Sequence, residues 1–164
     1  MNKTVGEAVE LATAIRDEVT DTGGMDVVLC PPFTALSAVA KAIEGSEISL
    51  GAQNMHWEES GPFTGEISPT LLTDLGCEWV IVGHSERREH QRETDREIAR
   101  KLQSALSHGL NPIVCVGERL EERDRRETRE VVTREVLSAF QGIAREDAIK
   151  VVVAYEPIWA IGTG

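Results

Sequence analysis

The chain has 164 residues, 41% of them hydrophobic, with 28 acidic against 17 basic residues and a net charge of −11. That length and apolar content suit one globular domain with its own core, and the negative charge, with no basic stripe, opposes binding to nucleic acid or to an anionic membrane. No cleavable apolar leader and no apolar run long enough to span a bilayer is legible, so a cytoplasmic location is expected.

The first predicted element is a helix with Val5, Ala8, Ala12, Ile15 and Val19 on one stripe and Glu7, Glu10, Arg16 and Glu18 mainly outside it. A strand over Asp26 to Cys30 follows, then a helix that places Leu36, Val39, Ala40 and Ile43 together and ends at Gly45, a C-cap residue. Ile48 to Ala52 and Cys77 to Val82 read as the next strands, and Ser85 is expected to cap a short helix with Glu86 in its first turn. Thr94 with Glu97 forms a capping-box pattern ahead of Ile98, Leu102, Ala105 and Leu106, and Gly109 stops that helix. Asn111 to Val116 is the fourth strand. The charged run "GERLEERDRRETREVV" reads as an amphipathic helix whose apolar residues are Val132, Val136 and Phe140, rather than as an interaction tail. Val151 to Ala154 is the fifth strand.

These strands are β-rich and nearly continuous in apolar character, as for strands covered on both faces. Strands separated by helices make βα units and a mostly parallel sheet. A helix ahead of the first visible strand implies either a decorated sheet or a missing opening strand. Cys30, Cys77 and Cys115 are odd in number, far apart and each in or beside an apolar run, so buried thiols of a reducing compartment are expected rather than a disulfide framework.

In parallel βα architectures the chemistry gathers at the carboxyl ends of the strands. "WVIVGHSERRE" puts His84 and Ser85 there, and "VVVAYEPIWAIGTG" does the same for Glu156. A helix amino end aimed at the His84 ring disfavours the imidazolium, leaving a neutral donor able to polarise a carbonyl and relay protons between adjacent oxygens. Glu156, flanked by Tyr155 and Pro157 with Trp159 and Ile161 behind, is expected to be enclosed by apolar groups and so to gain basicity, as suits abstraction of a carbon-bound proton. Gly162 and Gly164 offer hinge freedom and backbone amides for an anion. There is no H-E-x-x-H, no C-x-x-C, no Walker A run, no G-x-G-x-x-G after a strand and no G-x-S-x-G elbow, so neither a zinc site nor a dinucleotide site nor a serine triad is expected.

"MNKT", "GAQNMH" with "GPFTGEIS", "VIVGHSERR", "CVGE" and "AYEPIWAIGTG" together resemble the triosephosphate isomerase family over essentially the whole length. The resemblance implies a (β/α)₈ barrel, which takes roughly 250 residues, so about five of its eight strands are expected here. Residues 1–164 would form a partial barrel domain, from the first helix to the active-site lid. It also implies cofactor-free, metal-free interconversion of dihydroxyacetone phosphate and D-glyceraldehyde 3-phosphate through an enediol or enediolate, in glycolysis and gluconeogenesis. Glu156 matches the family's base and His84 its neutral electrophile, a pairing taken over from this same enzyme. Pro157 to Gly164 match the mobile lid, another feature of that enzyme. Gly162 matches the lid glycine whose amide meets the substrate phosphate, and Asn2 is carried with it as a substrate-binding position. Glu86 is implied as an acidic neighbour that positions or handles protons, with Ser85 and Cys115 as supporting residues behind the site.

A homodimer is implied too, with the loop Gln53 to Glu66 reaching the partner: Thr64 toward its active site and Glu66 toward its Arg87, with Gly65 between. Such a loop is expected to be ordered mainly by the other subunit. The family's strand-one Asn and catalytic Lys fall just before Met1, and Lys3 does not match that lysine. A fragment with little activity of its own is therefore expected. Of the rival readings, an aldolase needs a Schiff-base lysine or a metal cluster, and neither Lys101 nor Lys150 reads as buried. A catalytically dead scaffold or binding module is the other.

Overall fold

The computed structural model describes residues 1–161, and Gly162, Thr163 and Gly164 lie outside the described residues. In chain order the elements are α1 (Val5–Glu18), β1 (Val27–Leu29), α2 (Leu36–Ala42), β2 (Ile48–Ala52), α3 (Pro69–Asp74), β3 (Trp79–Val82), α4 (Ser85–His90), α5 (Asp95–Ser107), β4 (Asn111–Val116), α6 (Leu120–Asp124), α7 (Thr128–Ala139), α8 (Arg145–Ala148) and β5 (Val152–Tyr155).

Each strand pairs in parallel with the next, in the order β1-β2-β3-β4-β5. A sequential parallel order never reverses direction across the sheet, so it makes the arc of a partial (β/α)₈ barrel rather than a doubly wound sheet with a switch point. The helices pack outside it. Ile98, Leu102 and Ala105 of α5 and Leu72 of α3 are completely buried in one cluster with Val80, Val82 and Val114 of β3 and β4. The α5 boundaries follow from its caps: Thr94 and Glu97 form the expected capping box, and Gly109 has φ 76°, which ends the helix.

Three expectations change. The charged run divides into α6 and α7, and the seam that α7 buries is Val131, Glu135 and Ala139, one position ahead of Val132, Val136 and Phe140. Burying Glu135 in that seam requires partners, which the site supplies. Strand β5 is not covered on both faces: Val152, Val153 and Tyr155 are 45%, 43% and 50% exposed, and β5 pairs with β4 alone among the described residues. Lys101, one turn from Glu97, is buried at 3% exposure, which its place in a helical pattern hid. It is ion-paired with Glu93 and donates to Asn54 Oδ1 at 2.8 Å. Burial pushes the Lys101 ammonium below the usual lysine range, and hydrogen bonding to Glu93 opposes that. A lysine committed to a buried carboxylate is a structural ion pair rather than a free amine nucleophile.

No helix among the described residues is long and apolar enough to cross a membrane.

Candidate active site

The carboxyl ends of β3, β4 and β5 lie side by side because the three strands are in register: Val82 opposite Val114, and Val116 opposite Tyr155. The residue after β3 is Gly83 with φ 73°, a left-handed turn that swings the chain straight into α4. His84 is the N-cap of that helix, and Ser85 is its first helical residue rather than its cap. The Glu86 amide donates to His84 Nδ1 at 3.3 Å. A ring that accepts at Nδ1 carries its proton on Nε2.

That Nε2 faces Glu156 Oε1 at 3.1 Å, and the other carboxylate oxygen, Oε2, accepts from the Ser85 amide at 3.1 Å. Residues 71 positions apart in sequence are thus brought into one hydrogen-bonded set. The Glu156 side chain is 17% exposed, with one oxygen on the Ser85 amide and the other 3.1 Å from His84 Nε2. Its backbone is equally fixed: the Glu156 amide donates to Val116 O at 2.8 Å. A Cβ on Gly117 would stand 1.7 Å from the Glu156 carbonyl oxygen, so only glycine allows this approach. Cys115 is buried, and its thiol is pushed well above the usual range by burial, then by the Glu156 charge and a hydrogen bond to it. That keeps it a protonated packing group.

Tyr155 and Trp159 bracket the Pro157 turn, and both reach Glu118. Tyr155 Oη donates to its two oxygens at 3.0 and 2.9 Å, Trp159 Nε1 donates at 3.1 Å and Thr128 Oγ1 at 3.2 Å. Arg123 adds a charge at 3.5 Å and stacks over the Trp159 ring at 4.1 Å. Burial pushes the Glu118 carboxyl up, but hydrogen bonds from its own backbone and from Tyr155, Trp159 and Thr128 outweigh it and hold the group below the usual range.

The remaining expected residues lie farther out. Glu86 is exposed, with Oε2 3.9 Å from His84 Nδ1. Asn2 is exposed at the chain start, beside Lys3, Cys30 and Gln53 at one cleft, and makes no contact with the His84–Glu156 pair. Gly162 lies outside the described residues. Gln53 donates to Cys30 O at 2.9 Å, and Arg87 pairs with Glu93 at 3.3 Å within the same chain. Thr64, Gly65 and Glu66 are exposed.

The loop that carries those three residues is anchored by its own chain. His56 stacks on Trp57 and packs against Phe63, Arg100 lies 4.3 Å over the Trp57 ring and pairs with Glu58 at 3.1 Å, and His108 meets Glu59 at 3.1 Å. Its base is thus held within the chain, and its tip, Thr64 to Glu66, is exposed. The sequence singles out none of three neighbours of the pair individually: Gly117 and Glu118, given only within "CVGE", and Glu135. A carboxylate directly after the apolar strand "IVCVG" was the available signal for Glu118. No three of His, Cys, Asp and Glu converge as metal ligands among the described residues.

Comparison with known proteins agrees with this architecture. The triosephosphate isomerase family matches over residues 1–164. The triosephosphate isomerase of Alkaliphilus oremlandii is 53% identical over the whole chain, which covers 66% of that protein. That of Carboxydothermus hydrogenoformans is 52% identical, with 65% of it covered, and that of Clostridium perfringens 49%, with 66% covered. The chain thus spans just under two thirds of the length of these relatives and, matched end to end by the family, belongs to the triosephosphate isomerase family.

Proposed function

We propose that this chain forms part of an enzyme that interconverts D-glyceraldehyde 3-phosphate and dihydroxyacetone phosphate, with residues 1–164 supplying part of a barrel domain. The observation that supports it most is the contact between His84 Nε2 and Glu156 Oε1 at 3.1 Å, with His84 Nδ1 capping α4. It presents one base and one neutral donor to a common point.

Glu156 is assigned as the base that takes a proton from the carbon next to the carbonyl and returns it to the neighbouring carbon. A carboxylate and an imidazole at hydrogen-bond distance leave no room for a carbon between them, so substrate entry must part them and exchange the Ser85 and His84 donors on Glu156 for a C–H bond. His84, holding its proton on Nε2, donates to the carbonyl oxygen as negative charge develops and takes the proton from the adjacent hydroxyl in the next step. Each proton taken from the substrate is matched by one given back and no electrons leave it, so the reaction draws on no cofactor. Ser85 and Cys115 support Glu156, and Glu86 is assigned to polar positioning of His84. Gly162 and Asn2 are assigned to binding the phosphorylated substrate.

A homodimer is part of the proposal, in a cytoplasmic setting, with the loop that carries Gln53, Thr64, Gly65 and Glu66 at the interface: Thr64 toward the active site of a second copy and Glu66 toward its Arg87. The anchored loop supports this, since a projecting segment fixed from behind presents its tip at little entropic cost.

The test is isomerisation of glyceraldehyde 3-phosphate by the chain and by a form completed to the length of its relatives. In the active form, Glu156→Asp retracts the carboxylate by one methylene and is expected to lower turnover about 100-fold or more. His84→Gln is expected to slow the oxygen-to-oxygen proton transfer with the fold intact. Unchanged turnover in either variant removes that residue from the mechanism.

A further inference from the structure

Glu135 touches neither member of the candidate pair, yet it is a buried acid on the outer helix α7 whose oxygens serve both loops that carry them. Its Oε2 accepts from the Gly117 amide at 2.9 Å, and its Oε1 lies 3.8 Å from Arg88 NH1. Gly117 is the residue pressed against the Glu156 backbone. Arg88 Nε donates to the carbonyl of Gly83, the residue before His84, at 3.0 Å, and its NH1 meets Asp95 at 2.5 Å. One carboxylate therefore sits between the turn that sets Glu156 and the turn that sets His84.

We infer that Glu135 is a positioning residue of the isomerase, fixing the separation of Glu156 and His84 through Gly117 on one side and Arg88 on the other. The inference rests on the function proposed above. The alternative is a purely structural carboxylate, and the substitutions below separate the two. Glu135 is 7% exposed, and burial raises its carboxyl above the usual range despite Arg88. An acid whose folded-state value is raised is stabilising only in its protonated form. That part of the stability is present at low pH and is lost as pH rises through the raised value, so ionisation of Glu135 lowers stability relative to its protonated form. Its place, with one oxygen on the Gly117 amide and the other 3.8 Å from Arg88 of α4, puts one carboxylate between the two turns.

Glu135→Gln supplies the separation. Its amide oxygen can still accept from Gly117, but the amide nitrogen then faces the Arg88 guanidinium as a donor against a donor, so the second link is lost while volume is kept. In a form completed to the relatives' length, kcat is expected to fall about 10- to 100-fold, the scale of a displacement near 1 Å. KM is expected to stay within about twofold, and the melting temperature should not drop. A second substitution, Arg88→Met, should cost little further kcat on the Glu135→Gln background, since both cut the same link.

Unchanged kcat with a lowered melting temperature would make Glu135 structural and overturn the inference. So would equal, independent losses from the two substitutions. Should Glu135→Gln fail to fold, Glu135→Asp, which keeps the charge and withdraws it by one methylene, is read in the same way. Glu156→Asp run in parallel keeps the two readings apart. If it loses turnover while Glu135→Gln does not, only the positioning role fails; if it retains turnover, the proposed function itself fails.

Discussion

Replacing Gly117 with alanine is the sharpest perturbation of this site, because its size can be worked out in advance. The added Cβ would lie 1.7 Å from the Glu156 carbonyl oxygen and 2.7 Å from its carbonyl carbon, where real Cβ contacts stay beyond 3.0 Å. The ends of β4 and β5 must therefore part locally by about 1.3 Å, the difference between those limits, because the opposing atoms are backbone and cannot rotate away. A shift of that size is enough to break the 2.8 Å bond from the Glu156 amide to Val116 O.

Overpacking costs about 1–3 kcal/mol and a lost backbone hydrogen bond about 0.5–1.5 kcal/mol, so a loss of about 1.5–4.5 kcal/mol is expected by chemical denaturation. With Glu156 displaced by about 1 Å relative to His84, turnover in an active form should fall about 100-fold. The carboxyl-terminal ends of the strands are thus expected to respond in stability and in rate together. If Gly117→Ala denatures at the same midpoint and keeps turnover within about threefold, then the close approach does not constrain Glu156 and the account of the site is wrong.

Two other substitutions probe buried charges. Lys101→Met leaves Glu93 buried without its lysine and should cost about 3–5 kcal/mol by urea denaturation. The double variant Lys101→Met with Glu93→Gln should recover a large part of that, and a double variant as unstable as the single one would remove the ion pair as the cause. Glu118, whose carboxyl is held below the usual range, contributes stability that is fully present above the ordinary carboxylate value and is lost as pH falls through its own lowered value. Acid titration should therefore release Tyr155 and Trp159, read as a change in tryptophan emission below about pH 4. Glu118→Gln should abolish that transition, and its persistence in the variant would assign it to another group.

Much of this arrangement is legible in the residue order because strands fix where loops emerge. Ile48 to Ala52 and Asn111 to Val116 are strands over the full expected ranges, and Thr94 with Glu97 closes its capping box as expected. His84 and Glu156 follow strands, so their convergence at one rim needs only that β3, β4 and β5 be parallel neighbours. What the sequence hides is the second layer. Lys101, Glu118 and Glu135 lie in charged or helical contexts where long polar side chains are normally solvated, and nothing local marks their partners. Lys101 meets Asn54 and Glu93, Glu118 meets Tyr155 and Trp159, and Glu135 meets Gly117 and Arg88. Most of these partners come from other elements. The α7 register slips for the same reason: a reading that reserves the buried seam for Val132, Val136 and Phe140 cannot anticipate Glu135 inside it.

The two buried acids nearest the site share a logic that accounts for their burial. A carboxylate removed from water needs several donors, and the donors it finds here sit at or just past strand ends: the Gly117 amide for Glu135, and the Tyr155 hydroxyl and Trp159 indole for Glu118. Apolar burial is non-directional, so it holds a loop against a surface with less control of its orientation than a hydrogen bond has. A buried carboxylate with directional acceptors costs desolvation but loses steeply if its donors move. The turn after β4 carries Gly117 and Glu118, so it is fixed from α7 by the first acid and fixes the segment after β5 by the second. Glu156 lies in the middle of that chain of contacts, between Tyr155 and Pro157. Under the proposed mechanism its contacts with the Ser85 amide and with His84 Nε2 give way to substrate, and the backbone beneath it is held separately, by the Glu156 amide on Val116 O.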